Sequence, residues 1–320
     1  MHEASSNLSS NQGSSLIEAH TAQQCVILTG PTASGKSGLA MAWAQALKKQ
    51  DPSIACEIVS VDSALVYAGM NIGTAKPSAA EQATVPHHLI DLIAPHESYS
   101  VGDFLRDTAV AIAAIKARGA LPVIVGGTMM YVNALLNGLS TLPVADVAIR
   151  EQILDFAQTQ GWPAVHAELA LVDAVAAARI APLDAQRLER ALSVYRSTGK
   201  TLTAWQADNP PSAPVLPAGQ YVHFSIEPAR DALLARISQR TAQMWADGLV
   251  DEVRGLMQNA RLHADLPSMR AVGYRQIWQG LLAGESDAAM QDAVNIATRQ
   301  LAKRQMTWLR SMPNRIVLEN

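Results

Sequence analysis

The chain has 320 residues, a length that suits one large domain or a domain that carries an insertion. Hydrophobic residues make up 49% and charged residues 17%, which excludes an intrinsically disordered chain. No stretch approaches the roughly 18 uncharged apolar residues of a membrane span, so we expect a globular protein with no membrane partner. The formal charge of −3 argues mildly, as an average, against a nucleic-acid partner.

The N-terminal segment and the cysteines bear on the cellular compartment. Residues 1–22 are rich in Ser, Asn and Gln, so we expect a disordered tail, and they contain no apolar core of a secretion signal. The two cysteines, Cys25 and Cys56, lack metal-ligand spacing. We therefore expect a reducing, cytoplasmic location.

Strand and helix patterns alternate along the chain. Apolar runs predict strands at 25–29, 57–61, 121–125 and 221–226, and helical patterns cover 102–118, 229–258 and 286–310. This alternation predicts an α/β fold with a parallel sheet flanked by helices. Its ligand site is expected beyond the carboxyl ends of the strands.

The segment GPTASGKS, between the first strand and a helical pattern, fits the phosphate-loop motif G-x-x-x-x-G-K-[ST]. Its residues are Gly30, Pro31, Thr32, Ala33, Ser34, Gly35, Lys36 and Ser37. The glycines allow a tight turn, and the loop N–H groups and the helix N-terminus face a polyphosphate. Lys36 adds a positive charge, and the Ser37 hydroxyl is a candidate ligand for Mg²⁺. The motif does not specify which polyphosphate is bound.

A helical segment separates the third predicted strand from the fourth. From 147 to about 198 the patterns are helical only, and four prolines in 209–219 indicate a linker. We therefore predict a core similar to the P-loop NTPases, formed by 23–143 and 221–320, with an all-helical insertion at 144–220.

Asp62 ends the second predicted strand, and its role is open from the pattern alone. It could be a magnesium carboxylate, a general base, or a turn aspartate. Arg240 is similarly ambiguous, because it could reach a bound diphosphate or form a surface ion pair.

Several blocks that follow resemble the bacterial tRNA dimethylallyltransferase family. They are DSALVY (62–67), GMNIGTAKP (69–77), HHLID (87–91), YSVGDF (99–104), VGGT (125–128), GKT (199–201), GL (248–249), EV (252–253), RAVGYR (270–275) and ATRQLAKRQ (297–305). The resemblance runs in order from about residue 25 to 312. It implies transfer of a dimethylallyl group from dimethylallyl diphosphate to N6 of adenosine 37, in tRNAs that read codons beginning with U.

The resemblance also implies roles for individual residues. The phosphate loop, with Lys36, would hold the diphosphate with Mg²⁺, Asp62 would accept the N6 proton, and Thr128 would contact the bound nucleotide. The implied contacts with the tRNA anticodon stem-loop involve Asp62, Ser63, Ala64, Leu65, Thr128, Arg150, Gln186, Arg187, Leu188, Glu189, Arg190, Arg270, Ala271, Val272, Gly273, Tyr274, Arg275, Arg299, Lys303 and Arg304. We expect a monomer, because the tRNA substrate is itself large.

A basic helix face supports an RNA partner independently of the resemblance. Between 298 and 315 there are five basic residues and no acidic one. At helical spacing, Arg299, Lys303 and Arg310 share a face, and Val294, Ala297, Leu301 and Trp308 are predicted on the opposite, packed face. An ordinary solvated face is the alternative. Residues 226–320 carry 12 Lys and Arg against 10 Asp and Glu, so the overall negative charge hides a basic C-terminal part.

Two other functions are compatible with the phosphate loop. A small-molecule kinase would use the same loop to transfer phosphoryl from ATP. An RNA-binding switch would hydrolyse nucleotide slowly and act through a conformational change.

Overall fold

The computed structural model describes residues 24–143 and 146–318. The predicted tail at 1–22 lies outside these residues. The described chain forms two compact units: a core unit, up to residue 136 and from residue 215, and a helical unit, 137–214. No helix in the described ranges is both long enough and apolar enough to cross a membrane.

The core unit is built on a six-stranded parallel sheet with the order β3-β2-β4-β1-β5-β6. The strands are β1 (Cys25–Thr29), β2 (Cys56–Val61), β3 (His87–His88), β4 (Leu121–Gly126), β5 (Tyr221–Ile226) and β6 (Ile316–Leu318). The four predicted strands are confirmed to within one residue at each end. The edge strands β3 and β6 were missed because two or three residues are too few to show a period.

Helices cover both faces of this sheet, as predicted. The helices of the core unit are α1 (Lys36–Gln50), α2 (Ala79–Thr84), α3 (Val101–Ala117), α4 (Met129–Asn137), α10 (Arg230–Ala246), α11 (Leu249–Met257), α12 (Tyr274–Ala283) and α13 (Asp287–Ser311). On one face, Trp43 and Leu47 of α1 pack against the strands. On the other face, Phe104 of α3, Leu135 of α4 and Leu309 of α13 form a second apolar cluster.

Helices α11, α12 and α13 share a third cluster with the chain that follows β2. Met70, Leu249, Tyr274 and Ile277 are fully buried there. The helical pattern that was predicted over 229–258 is broken in the structure at Gly248, whose φ of 92° suits glycine and starts a new helix. Burial of these large side chains stabilises the segment that leads from β2 toward β3.

The helical unit has its own core. Its helices are α5 (Val147–Gln160), α6 (Trp162–Val172), α7 (Ala174–Arg179), α8 (Ala185–Thr198) and α9 (Leu202–Asp208). The apolar faces of these helices, with Ile153, Val165, Leu169 and Leu188 fully buried, form one cluster.

The boundaries of the helical unit lie earlier than the 144–220 expected from the sequence. The unit ends before Val215, because Leu216 is buried in the core unit and its N–H donates to the Leu135 carbonyl. Two hydrogen bonds join the start of the unit to its end. The Ser212 N–H donates to the Leu139 carbonyl, and the Leu139 N–H donates to the Ser212 hydroxyl. The entering and leaving segments of the helical unit therefore lie side by side.

A buried histidine lies beneath the phosphate loop. His223 of β5 is 2% exposed, and its Nε2 lies 2.8 Å from the hydroxyl of Thr29, the last residue of β1. The Thr29 hydroxyl donates to the Phe224 carbonyl, so His223 donates to Thr29 as the neutral Nε2–H tautomer. Burial, with a smaller contribution from the positive charge of Arg315, lowers the pKa of His223 to about 4.

This shift predicts a loss of stability in acid. Because the folded pKa lies below the ordinary 6.5, the unfolded chain binds the proton first, and stability falls as pH drops from about 6.5 to 4. The full effect is about 3 kcal/mol. We expect His223→Gln, which keeps a donor for Thr29, to lack this component. Urea unfolding of both proteins at pH 7 and pH 4.5 measures it. A difference between the two proteins that is the same at both pH values contradicts the assignment.

Candidate active site

The phosphate loop joins β1 to α1 and forms the N-terminal end of that helix. The Ser34 N–H closes a turn onto the Pro31 carbonyl, and Gly35 adopts a φ of 91°. Gly35 is the N-cap of α1, and within the described part of the chain no side chain caps the first N–H groups of this helix. These groups, together with the helix dipole, form a site for an anion.

Three cationic side chains contact this loop, and the exposed Arg236 donates to the Ser34 carbonyl at 3.4 Å. Lys36 Nζ donates to the Pro31 carbonyl at 3.3 Å, and Arg240 Nη1 donates to the Thr32 hydroxyl at 3.3 Å. Burial lowers the pKa of Lys36 to about 8, opposed by the charge of Asp62 and reinforced by that of Arg240. Burial also lowers the pKa of Arg240. Both groups would gain a counter-ion if an anion were bound.

Arg240 does not form the surface ion pair that the sequence left open. Among the ion pairs of the described residues, none includes Arg240. Its side chain lines the cavity described below, so its position suits the diphosphate alternative.

Asp62 and Thr128 follow neighbouring strands of the sheet. The N–H groups of Gly127 and Thr128 donate to the Val61 carbonyl, each at 3.2 Å. The Asp62 carboxylate accepts the Ala64 N–H at 2.8 Å, and the Thr128 hydroxyl accepts the Ser63 N–H at 3.1 Å. Asp62 therefore makes the turn contact that was one alternative, and its second carboxylate oxygen accepts no hydrogen bond from the described residues.

A cavity of about 550 Å³ in the core unit brings the predicted residues together. The predicted residues that line it are Thr32, Ala33, Lys36, Ser37, Asp62, Ser63, Ala64, Leu65, Thr128, Arg270, Ala271, Val272, Gly273, Tyr274 and Arg304. Apolar side chains, including Ile58, Val125, Met129 and Leu249, complete the wall. The cavity thus combines an anion-binding side with an apolar side.

Other predicted residues of the core unit lie outside this lining. Gly30, Pro31, Ser34 and Gly35 shape the loop without lining the cavity, and Arg275, Arg299 and Lys303 are exposed. The hydroxyl of Ser34 is buried without a hydrogen-bond partner among the described residues. Arg299 donates to the Ser238 hydroxyl at 3.1 Å.

The predicted packed face of α13 is partly wrong. Val294 is buried as expected, but the buried positions further along are Ala302, Gln305 and Leu309. Trp308 is 38% exposed and lies at the cavity. The prediction failed because it assumed that only apolar residues of this helix are buried. Gln305 is polar, but it can be buried because its amide is hydrogen-bonded to two loops of the site.

The predicted RNA contacts of the helical unit differ in exposure. Gln186 and Arg187 are exposed, and Arg190 is half-buried. Leu188 is fully buried and supports the helix instead of offering a surface. Glu189 is also buried and accepts from Arg150 at 2.8 Å, so that arginine is already paired.

Glu252 lies in one of the blocks that resemble the family, but the sequence assigns it no role. Its carboxylate accepts the N–H groups of Asn71, Ile72 and Gly73, at 2.8–3.2 Å, and the Tyr274 hydroxyl at 2.5 Å. It thereby fixes the turn at 71–73 against the buried Tyr274 ring. Three adjacent N–H donors on one carboxylate cannot be read from spacing, because the partners are about 180 residues apart.

Two residues near the phosphate loop offer oxygen atoms that could act as metal ligands. Ser37 and Asp62 both line the cavity, and the described residues contain no group of three or more His, Cys, Asp or Glu that could hold a metal. Such a set fits Mg²⁺, which usually takes few protein ligands and keeps substrate phosphates and water.

Comparison with known proteins identifies the family. A model described as IPP transferase matches residues 65–312. The chain belongs to the IPP transferase family. The family resemblance predicted from the motifs is thereby confirmed.

Relatives in this family cover most of the chain. It is 55% identical to the tRNA dimethylallyltransferase of Methylibium petroleiphilum, over 89% of this chain and 86% of that protein. It is 52% identical to the tRNA dimethylallyltransferase of Leptothrix cholodnii, over 91% and 88%. The crystal structure of the full-length tRNA isopentenylpyrophosphate transferase from Bacillus halodurans has 35% identity and a TM-score of 0.63, over 92% of this chain and 89% of that one.

The lowered pKa of Lys36 predicts how the binding of a diphosphate depends on pH. In the protein without ligand, the Lys36 side chain loses its charge as pH rises through about 8. The affinity for dimethylallyl diphosphate should therefore fall above pH 8, by up to about tenfold for each pH unit. The ligand keeps its charge, because a terminal phosphate loses its second proton near pH 6.

Calorimetry with the free protein between pH 7 and 9.5 measures this dependence. We expect Lys36→Ala to bind at least about tenfold more weakly at pH 7, since it lacks a charged hydrogen bond, and to show a flat profile. Equal slopes in the two proteins would exclude Lys36 as the titrating group.

Proposed function

We propose that this member of the IPP transferase family transfers a dimethylallyl group from dimethylallyl diphosphate to N6 of adenosine 37, in tRNAs that read codons beginning with U, and releases diphosphate. The observation that carries the proposal is a single cavity that is lined both by phosphate-loop residues, including Lys36 and Ser37, and by Asp62. An anionic leaving group and a proton acceptor are the two groups that this reaction needs.

The leaving group is stabilised from the loop side. As the bond between C1 of the dimethylallyl group and the diphosphate oxygen breaks, negative charge grows on that oxygen. The loop N–H groups, Lys36 and Arg240 lie where they offset this charge, and they are held in place before the reaction begins. Mg²⁺, held by the Ser37 hydroxyl, would add Lewis-acid stabilisation of the diphosphate.

The acceptor side supplies the base. Adenine N6 is a weak nucleophile, since its lone pair is delocalised into the ring. When N6 forms its bond to C1, it must lose one proton, and the free oxygen of the Asp62 carboxylate can accept it. Thr128, tied to the Ser63 N–H, lies on the same wall and is positioned to contact the nucleotide.

The substrate base must leave its stack to reach this cavity. Flipping a nucleotide costs a few kcal/mol, which contacts between protein and RNA must offset. We propose that these contacts come from the exposed basic part of α13, from Arg270 and Arg275, and from exposed Gln186 and Arg187 of the helical unit. We also propose that the protein acts as a monomer in the cytoplasm.

The relatives favour this reaction over the two alternatives from the motif. A kinase or an RNA-binding switch would share the loop, but the relatives are named as dimethylallyl or isopentenyl transferases. The test is incubation of the protein with labelled dimethylallyl diphosphate, Mg²⁺ and bulk tRNA, followed by mass analysis of the nucleosides. Label in N6-dimethylallyladenosine supports the proposal, and turnover of ATP with no label in RNA refutes it.

Asp62→Asn separates the chemical role of Asp62 from its turn contact. The amide oxygen can still accept the Ala64 N–H, but the side chain no longer accepts a proton. We expect single-turnover prenylation to fall by roughly 10²-fold or more, with tRNA affinity within severalfold of wild type. Asp287→Asn, at an exposed position on α13, is the control. Full rate in Asp62→Asn would remove the base assignment.

The exposed basic residues of α13 predict a salt-dependent contribution to tRNA binding. Lys303→Ala and Arg304→Ala should each weaken binding and reduce the salt slope by about one unit for each RNA phosphate that the variant no longer neutralises. Lys48→Ala, on an exposed part of α1, serves as the control. Filter binding from 50 to 300 mM salt measures the slopes. Slopes equal to that of the control would indicate an ordinary solvated face.

A further inference from the structure

A buried amide on α13 joins two loops of the active site. Gln305 is 9% exposed. Its Oε1 accepts the N–H of Thr32, in the phosphate loop, at 2.8 Å, and its Nε2 donates to the carbonyl of Gly127 at 2.8 Å. Gly127 immediately precedes Thr128 at the end of β4, so one side chain touches both sides of the cavity.

The residues around this amide pack closely against it and satisfy its hydrogen bonds. A Cβ added at Gly127 would lie 2.7 Å from Gln305 Nε2 and 3.0 Å from the Gly30 carbonyl oxygen, so a side chain at this position would displace the amide from its present place. Both polar atoms of the amide are satisfied, and replacing one would leave a buried donor or acceptor unpaired.

We propose that Gln305 is a positioning residue that sets the distance between the leaving-group side and the acceptor side of the cavity. The proposal rests on the transferase function given above. Gln305 holds the phosphate loop through Thr32 and the turn that carries Thr128 through Gly127. The same turn is bound to the Val61 carbonyl, which precedes Asp62.

This arrangement matters for bond formation, because N6 must approach C1 while the diphosphate leaves from the opposite side. A shift of about 1 Å between the two sides can lower the rate by 10²-fold. The hydrogen bonds of the Gln305 amide go to the backbone of Thr32 and Gly127, so its loss should lower the rate of the chemical step more than it lowers the affinity for RNA.

The first test is Gln305→Met, which keeps the length of the side chain but removes both hydrogen bonds. We expect kcat in steady-state prenylation to fall at least about tenfold and the KM for dimethylallyl diphosphate to rise. The Kd for tRNA should stay within about twofold of wild type. The matched control is Gln291→Met on the same helix, away from the cavity lining. An unchanged kcat, or a loss confined to tRNA affinity, overturns the proposal.

Gln305→Glu is a second test that does not depend on the methionine variant being stable. The carboxylate can accept from Thr32 but faces the Gly127 carbonyl without a donor. A protonated carboxyl group has one donor and one acceptor, like the amide. We therefore expect the rate of this variant, relative to wild type at the same pH, to rise as pH falls from 8 to 5.5. A flat ratio overturns the proposal.

Wild-type protein in the same assay separates the two proposals. If wild type fails to modify tRNA, the transferase function is wrong. If wild type is active and both Gln305 variants match it, only the positioning role is wrong. Thermal unfolding of each variant, measured alongside, shows whether a reduced rate follows from a loss of structure. If a variant reaches the full wild-type rate at assay temperatures below its unfolding transition, the positioning role is also wrong.

Discussion

The pairing of β2 with β4 at their carboxyl ends is the constraint on which the site depends. The Val61 carbonyl accepts two N–H groups from the Gly127-Thr128 turn, and a Cβ at Gly126 would lie 2.1 Å from that carbonyl oxygen. The backbones can therefore approach this closely only with glycine at that position. This contact brings the residues after each strand, Asp62 and Thr128, to one wall, and the parallel register with β1 brings the phosphate loop beside them.

The charged side chains of the cavity are arranged so that they would bind an anion. Lys36 and Arg240 are both desolvated, while one carboxylate, Asp62, opposes them. Burying cations in this way costs free energy, and the cost falls when a diphosphate binds. Part of the binding free energy is thus available for placing C1, since the cations are positioned before the ligand arrives.

The parts of the site that could be predicted are those formed by residues close together in the sequence. The phosphate loop and Asp62 are consecutive with strands, so a short window contains the whole signal. Gln305 is different, because its partners lie 273 and 178 residues away and a glutamine inside an apolar helix face contradicts the pattern. Trp308 differs for another reason, because an apolar side chain is expected in the packed face but lies 38% exposed at the cavity. Side chains that connect distant loops become visible only when the fold brings those loops together.

The paired segments at Leu139 and Ser212 have a consequence for how such a chain can vary. Because the chain leaves for the helical unit and returns from it at hydrogen-bonded neighbours, the distance between the two ends is fixed locally. Residues can be inserted or deleted between them without changing the register of β4 or β5, as closing a longer loop costs little extra free energy. Differences in length among relatives should therefore concentrate inside this pair, while the spacing within the catalytic sheet stays constant.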